Sequence, residues 1–387
     1  MATVTQIYNL VNSIAKESLG ESAITVKDTT SLVALGDAIL SSSQDVDAWN
    51  GSLIDRIGRT IVSNKAYTRK RRNIFRAGID YGIILQKIYV EMPKATVNQT
   101  WVNKESERKD PFELNIPTVR QYLFKDATAF EFPVTITDKA LKTAFSSASE
   151  MGAFVEAIML SLVNAVEVAI ENTENLAVAT FTALKINAKE THPNGAVNLL
   201  HDYNTLTNKG LTVASCLSDK DFLKYASMQL SMTVKRMRNL TTLYNISEPD
   251  DNGEKVKRAT SESDLVLDVL SNYSVASAMY LESDTYHKEL VSLPNYHEVN
   301  YWQATGQTYA FNDVSKVNIT HGDVTVEQAG ILAVAYDINA IGTTLKDERT
   351  ATVRNERGGY TNHYKQGTLE YFNDLTENGV VFYIAEV

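Results

Sequence analysis

The chain has 387 residues, of which 44% are apolar and 22% are charged, so it can fold around a sizeable core divided over two or three lobes. Its single cysteine, Cys216, excludes an intramolecular disulfide and suits synthesis in a reducing cytoplasm. A secretory signal is not expected at residues 1–19, and the most apolar stretch, Ala157 to Val166, is too short for the span of about 20 residues that crosses a membrane.

The charge is unevenly distributed along the chain. The net charge is −10, yet eight basic residues and no acidic residue lie between Arg56 and Ile79. The remainder holds 29 basic and 47 acidic residues. A basic segment on an otherwise acidic chain predicts two environments, one of them close to anions.

Residues 1–82 are predicted to form an N-terminal arm that packs on another surface, because helical pieces alternate with polar connectors and offer little core. The densest basic part of the arm consists of Arg69, Lys70, Arg71, Arg72 and Arg76. Such side chains neutralise phosphate without reading a base sequence. A role facing nucleic acid and a role facing an acidic neighbouring subunit are equally supported, and a solvated arm is the third interpretation.

Residues 83–137 are predicted to form a long two-stranded ribbon. Ile88–Met92 resembles a strand, and Phe130, Phe132, Val134 and Ile136 alternate with polar residues in a second strand. Pro133 favours an edge position or a bulge. The predicted tip is rich in charge: Lys104, Glu105, Glu107, Arg108, Lys109 and Asp110. Since an isolated ribbon is marginally stable in water, we expect it to lie on a partner subunit.

Residues 138–190 are predicted to be dominated by one long helix over Ser147–Ile186. Ser147 and Glu150 have the spacing of a capping box, and apolar residues then recur at helical intervals. At 1.5 Å per residue the helix would be roughly 55–60 Å long. A compact enzyme domain rarely needs such a spine.

The rest of the chain is predicted to form a compact α/β lobe over residues 191–348, followed by returning strands over residues 349–387. Ser218 and Asp219 begin a helix, and Leu265–Leu270 and Gly330–Ala335 are continuous apolar runs that suit buried strands. The returning strands are expected at Thr350–Arg354, His363–Phe372 and Val380–Ile384. The predicted fold class is α+β.

The spacings that enzymes use for chemistry are missing from the sequence. It contains no phosphate-binding loop, dinucleotide turn or nucleophile elbow. His297-Glu298 begins like a zinc-protease helix, but Tyr301 stands where the second histidine is needed. The Gly-rich segment Arg354–Tyr360 favours a tight turn over an anion-binding nest. We therefore predict no catalytic, cofactor-binding or metal-binding residues.

The order of arm, ribbon, spine helix, α/β lobe and returning strands resembles the Hong Kong 97 type of major capsid protein. Three short stretches resemble the capsid proteins of short-tailed (podovirus-type) double-stranded DNA phages of Gram-positive bacteria: Ser52–Gly58, Leu141–Phe145 and Thr352–Gly358. In that family the parts are the N-arm, the extended loop, the peripheral domain with its spine helix, and the axial domain. The immunoglobulin-like appendage of some relatives is not expected here.

The resemblance implies a structural subunit of a virion, assembled in the host cytoplasm into pentamers and hexamers of an icosahedral head. Its implied partners are other copies of itself, scaffolding and portal proteins, and packaged double-stranded DNA, with no membrane. The alternatives are a shell protein of a cargo-enclosing nanocompartment of the same fold and a soluble enzyme with an unrecognised site. Particles on an electron micrograph would exclude the enzyme, and their nucleic acid content would separate the two shells.

Overall fold

A computed structural model of the chain describes residues 4–20, 23–42, 44–53, 74, 85–90, 119–124, 126–249, 253, 255–282, 296–303, 309–322 and 324–386. Helices and sheets are mixed along the chain, which confirms the predicted α+β class. The N-terminal helices are α1 (Val4–Leu19), α2 (Thr29–Leu40) and α3 (residues 44–53). They are followed by α4 (Asp138–Ala144) and the long α5 (Ala148–Asn187).

The N-terminal helices pack inside the same subunit. Residues of α1, α2 and α3 share one apolar cluster with α4 and the first half of α5. The indole ring of Trp49, fully buried, lies 5.4 Å from the ring of Phe145 between their centroids. The arm was expected to pack on another surface. For its described residues up to residue 53, α4 and α5 of the same subunit supply such a surface.

Two glycines in these helices give a matched test of that packing. A Cβ atom added at Gly36 would lie 2.5 Å from the ring of Phe145, whereas one added at Gly51 would meet nothing within 4 Å. We expect Gly36→Ala to lower the free energy of unfolding by about 1–3 kcal/mol through overpacking. Gly51→Ala should raise it by roughly 0.5–1 kcal/mol, because alanine favours the helix. Urea denaturation of both variants measures the difference, and equal midpoints would contradict this packing.

The predicted ribbon contains a different pair of strands from those expected. Strand β1 (Leu85–Val90) pairs antiparallel with β2 (Val119–Phe124). The strand predicted at Phe130–Ile136 is part of β3 (Asp126–Thr137), which pairs elsewhere. Because β2 ends at residue 124 and β3 begins at residue 126, one nearly continuous extended segment serves both the ribbon and the next sheet.

A three-stranded antiparallel sheet receives β3. Its order is β10-β11-β3, with β10 over Ile341–Asn355 and β11 over Tyr360–Asn373. Among the described strands β3 lies at the side of this sheet, a position that tolerates Pro133 because proline has no amide hydrogen to donate. This sheet confirms the first two returning strands.

The spine helix α5 connects the parts of the subunit. Its N-cap is Ser147, whose Oγ accepts a hydrogen bond from the backbone N of Glu150 at 3.2 Å, as the sequence predicted. With 40 residues the helix is about 60 Å long. Its first half packs on the N-terminal helices, its middle packs on the three-stranded sheet through Ile170, and its end enters the core of the lobe through Phe181.

The strands of the lobe are β4 (Ala196–Asn198), β5 (Leu265–Leu270), β6 (His297–Val299), β7 (Val317–His321), β8 (Val324–Gln328), β9 (Ile331–Asp337) and β12 (Gly379–Tyr383). Five of them form a sheet in the order β4-β12-β9-β5-β6, and β7 pairs antiparallel with β8. The helices of the lobe are α6 (Leu199–Thr207), α7 (Val213–Cys216), α8 (Lys220–Met237), α9 (Ser271–Glu282) and α10 (Phe311–Val314). The buried strands β5 and β9 and the helix α8 confirm the predictions made for them.

The last strand corrects one assignment. The sequence placed residues 349–387 with the peripheral part, but β12 pairs with β9 and β4 in the sheet of the lobe. Every residue of β12 is buried, which is typical of a strand covered on both faces rather than of one side of a partly exposed sheet. The other predicted domain boundaries stay predictions.

Candidate inter-subunit surfaces

The residues predicted to act between subunits lie outside the described part of the chain. This holds for the basic residues Arg69, Lys70, Arg71, Arg72 and Arg76, and for the ribbon tip Lys104, Glu105, Glu107, Arg108, Lys109 and Asp110. Within the basic stretch the structure describes Ile74, which is buried in the core of the lobe. Its carbonyl oxygen accepts a hydrogen bond from the backbone N of Thr343 at 3.0 Å. The stretch is thus fixed to its own subunit at one point.

One face of the ribbon carries four exposed apolar side chains beside Gln121. Residues opposite each other in an antiparallel pair share a face, and Val90 lies opposite Val119. The same alternation places Ile88 and Leu123 on that face. These four side chains are between 51% and 60% exposed. We call them the outer ribbon face; an apolar face of this kind is typical of an interaction surface.

The opposite face of the ribbon contacts the lobe of its own subunit. The Lys87 Nζ lies 2.6 Å from Asp374 Oδ2 and 2.6 Å from Glu377 Oε1. Arg120 donates a hydrogen bond from Nη1 to the carbonyl oxygen of Glu248 at 2.8 Å. Because this face is occupied by the subunit's own lobe, the outer ribbon face is the one left for another molecule.

The turn between β10 and β11 is structural. The Asn355 Oδ1 accepts a hydrogen bond from the backbone N of Gly358 at 2.9 Å, so the side chain occupies a donor that an anion would need. The Arg354 guanidinium donates to both oxygens of Asp138, at 2.9 and 3.1 Å, and these hydrogen bonds raise the pKa of Arg354. The segment is therefore a tight turn whose arginine holds α4 in place.

Two ionisable side chains, Lys185 and His363, are buried and form hydrogen bonds within the subunit. Burial lowers the pKa of Lys185 to about 7, and its Nζ donates to the carbonyl oxygen of Tyr244 at 2.8 Å. Burial likewise lowers the pKa of His363 to about 4, beside the Thr352 hydroxyl.

In the part of the chain that the structure describes, no group of histidine, cysteine or acidic side chains could hold a metal ion. Nor is any helix there long and apolar enough to cross a bilayer.

The fold is similar to that of chains in solved phage structures. A chain from the capsid of Staphylococcus phage Andhra aligns with a TM-score of 0.56 at 10% identity, covering 84% of this chain and 86% of that one. A chain from the structure of head fiber and inner core protein gp22 of native bacteriophage P68 aligns with a TM-score of 0.53 at 10% identity, covering 83% and 86%. At this identity the likeness shows the fold, which is the predicted Hong Kong 97-like capsid fold.

The family follows from sequence comparison. Residues 11–383 match the family described as Phi29-like phage major capsid protein, and the chain belongs to that family. The major capsid protein of Bacillus phage GA-1 is 24% identical over 166 residues, which is 43% of this chain and 34% of the relative. That of Bacillus phage PZA is 26% identical over 168 residues, covering 43% and 36%. The aligned segments thus span about a third of the length of these relatives.

Proposed function

We propose that the chain is the shell subunit of a phage head, a structural component of the virion rather than an enzyme. The observation that carries the proposal is the family match over residues 11–383. The fold supports it, because α5 ties the arm, the three-stranded sheet and the lobe into one elongated subunit. Many copies assemble into pentamers and hexamers of an icosahedral shell around double-stranded DNA, in the cytoplasm of the host.

The outer ribbon face is the surface on which we base self-association. Its apolar side chains project away from the subunit that carries them, while the inner face is held by Lys87 and Arg120. Obligate interfaces between subunits bury large apolar areas of this kind. In the proposed shell the ribbon crosses a neighbouring subunit and covers this face, and the charged tip at residues 104–110 reaches beyond it.

The basic stretch is proposed to act at the inner surface of the shell or between subunits. Ile74 fixes the stretch beside the spine helix, in a cluster that includes Ala177 and Val178. Scaffolding and portal proteins are the further partners that a head of this type would require.

The variant with Arg69→Gln, Arg71→Gln and Arg72→Gln tests the role of the stretch. If the arginines face DNA, empty shells should form normally but filled heads should retain less DNA, because fewer phosphates are neutralised. If they join subunits, assembly itself should weaken, and more strongly in high salt, because exposed ion pairs are screened over about 8–10 Å. Particle yield and DNA content, measured across salt concentrations, distinguish the two. Normal assembly with normal DNA retention would contradict both roles.

The proposed function is tested by isolating the protein from infected cells on a density gradient. We expect it in large particles whose ultraviolet absorbance shows nucleic acid and whose DNA resists nuclease. Particles that hold protein cargo and no nucleic acid would instead indicate a nanocompartment. A protein found as small species throughout infection would contradict a shell function altogether.

A further inference from the structure

The ribbon meets the lobe through a compact group of charged and aromatic side chains. We call this group the ribbon joint; it consists of Lys87 and Tyr89 on β1, and Arg258, Asp374 and Glu377 on the lobe. The four apolar clusters contain none of the described side chains of the two ribbon strands, which are those of residues 87–90 and 119–124. The ring of Phe124, 5.3 Å from that of Phe372 between centroids, adds one aromatic contact.

Glu377 is the centre of the ribbon joint. One of its carboxylate oxygens, Oε1, accepts from Lys87 of the ribbon at 2.6 Å, and the other, Oε2, lies 3.2 Å from Arg258 Nε of the lobe. The Arg258 guanidinium in turn lies 4.5 Å from the centre of the Tyr89 ring, on the strand that carries Lys87. Arg258 of the lobe therefore contacts the ribbon through the Tyr89 ring, and Lys87 of the ribbon contacts the lobe through Asp374 and Glu377.

The acidic half of the joint is preorganised by the lobe. Asp374 Oδ1 accepts hydrogen bonds from the backbone N of Thr376 at 2.9 Å and from its hydroxyl at 2.6 Å. The other oxygen of Asp374, Oδ2, accepts a hydrogen bond from Lys87 of the ribbon. The side chains of Asp374 and Glu377 are 1% and 8% exposed, against 25% for Lys87. If Lys87 moved away while Asp374 and Glu377 stayed buried, the two carboxylates would lose the cation that they share, and this loss would cost free energy.

We propose that the ribbon joint is an ionic latch that sets the angle of the ribbon on the lobe and can open without unfolding either part. Opening exchanges the ion pairs for solvated charges and breaks the contacts of Arg120 and Phe124, while the apolar clusters of the lobe stay intact. Because salt screens nearly buried ion pairs only weakly, the latch should open on loss of the Lys87 charge rather than on a rise in salt concentration. The latch belongs to the single subunit and does not depend on the function proposed above.

Spin labels on the full-length subunit can test the latch. Cysteines introduced at Gln121 on the ribbon and at Lys257 on the lobe carry the labels, while Cys216 is buried and stays unlabelled. Pulsed electron resonance should give one narrow distance in the parent protein. Lys87→Met, which keeps the aliphatic stem but removes the charge, should abolish that single distance and give a broad distribution, with the circular dichroism and thermal midpoint of the lobe unchanged.

The control is Lys209→Met, which removes a cation bound to Asp219 and Asp221 within the lobe and should leave the narrow distance as it is. If Lys87→Met does not fold, Glu377→Gln provides the same readout. A narrow, unchanged distance in Lys87→Met, or in Glu377→Gln where Lys87→Met does not fold, would overturn the latch.

Discussion

Ile170→Asp should prevent the subunit from accumulating in folded form. Ile170 is 3% exposed and packs with Val166 of the same helix and Leu369 of β11, where α5 crosses the three-stranded sheet. The substitution removes buried apolar surface and places a carboxylate where water cannot solvate it. Together these effects should cost at least about 4 kcal/mol, a large part of the 5–15 kcal/mol that stabilises a typical protein. Soluble yield and the urea midpoint are the measurements.

The matched control is Val168→Asp, two residues away on the same helix. Val168 is 51% exposed, so the same new charge remains in contact with water. We expect a change within about 0.5 kcal/mol, as for most surface substitutions. If the two variants accumulate and unfold alike, the face of α5 that contacts the sheet has been assigned wrongly.

Ile88→Lys combined with Val119→Lys should abolish assembly while leaving the subunit folded. Both side chains lie on the outer ribbon face and are 60% and 57% exposed, so the isolated subunit loses little when they become charged. In a shell each would lose about 1.5–3 kcal/mol of apolar burial and would bring an unpaired cation into the interface. Since 1.4 kcal/mol is tenfold in an equilibrium constant, we expect no particles at concentrations where the parent protein assembles. Sedimentation velocity separates subunits from particles.

Two comparisons make this result specific to the ribbon. Leu206→Lys adds a cation at a 73% exposed position on α6 of the lobe and should leave assembly unaffected. Deletion of Asn103 to Asp110 removes the predicted tip and should also spare subunit folding while producing no shells or malformed ones. Normal particles from both the double lysine variant and the deletion would contradict the proposed role of the ribbon.

Local patterns predicted much of this fold correctly. The spine helix was predictable because Ser147 supplies its cap and apolar residues then recur over eleven turns of helix. The strands β5 and β9 were predictable because their apolar runs are continuous and bounded by polar segments. Each of these signals lies within a single stretch of sequence.

Pairings between segments that are distant in the sequence could not be predicted from such local patterns. The strands β2 and β3 are separated by one residue, and the partner of each, β1 or β11, lies in a different part of the sequence. The contact between Lys87 and Glu377 joins residues 290 positions apart. The ribbon joint depends on such long-range pairing, and charged residues with this spacing would otherwise indicate only a solvated surface.

A cryo-electron microscopy reconstruction of the particles formed by this protein would show directly whether it is a shell subunit. We expect a closed icosahedral shell of pentamers and hexamers, with α5 and the five-stranded sheet fitting the wall density and the outer ribbon face covered by a neighbouring subunit. The protein should be concentrated alone and also coexpressed with the other head proteins of its phage. Failure to form any shell under both conditions would contradict the proposed function, and a shell in which the outer ribbon face remains in solvent would contradict the proposed role of the ribbon.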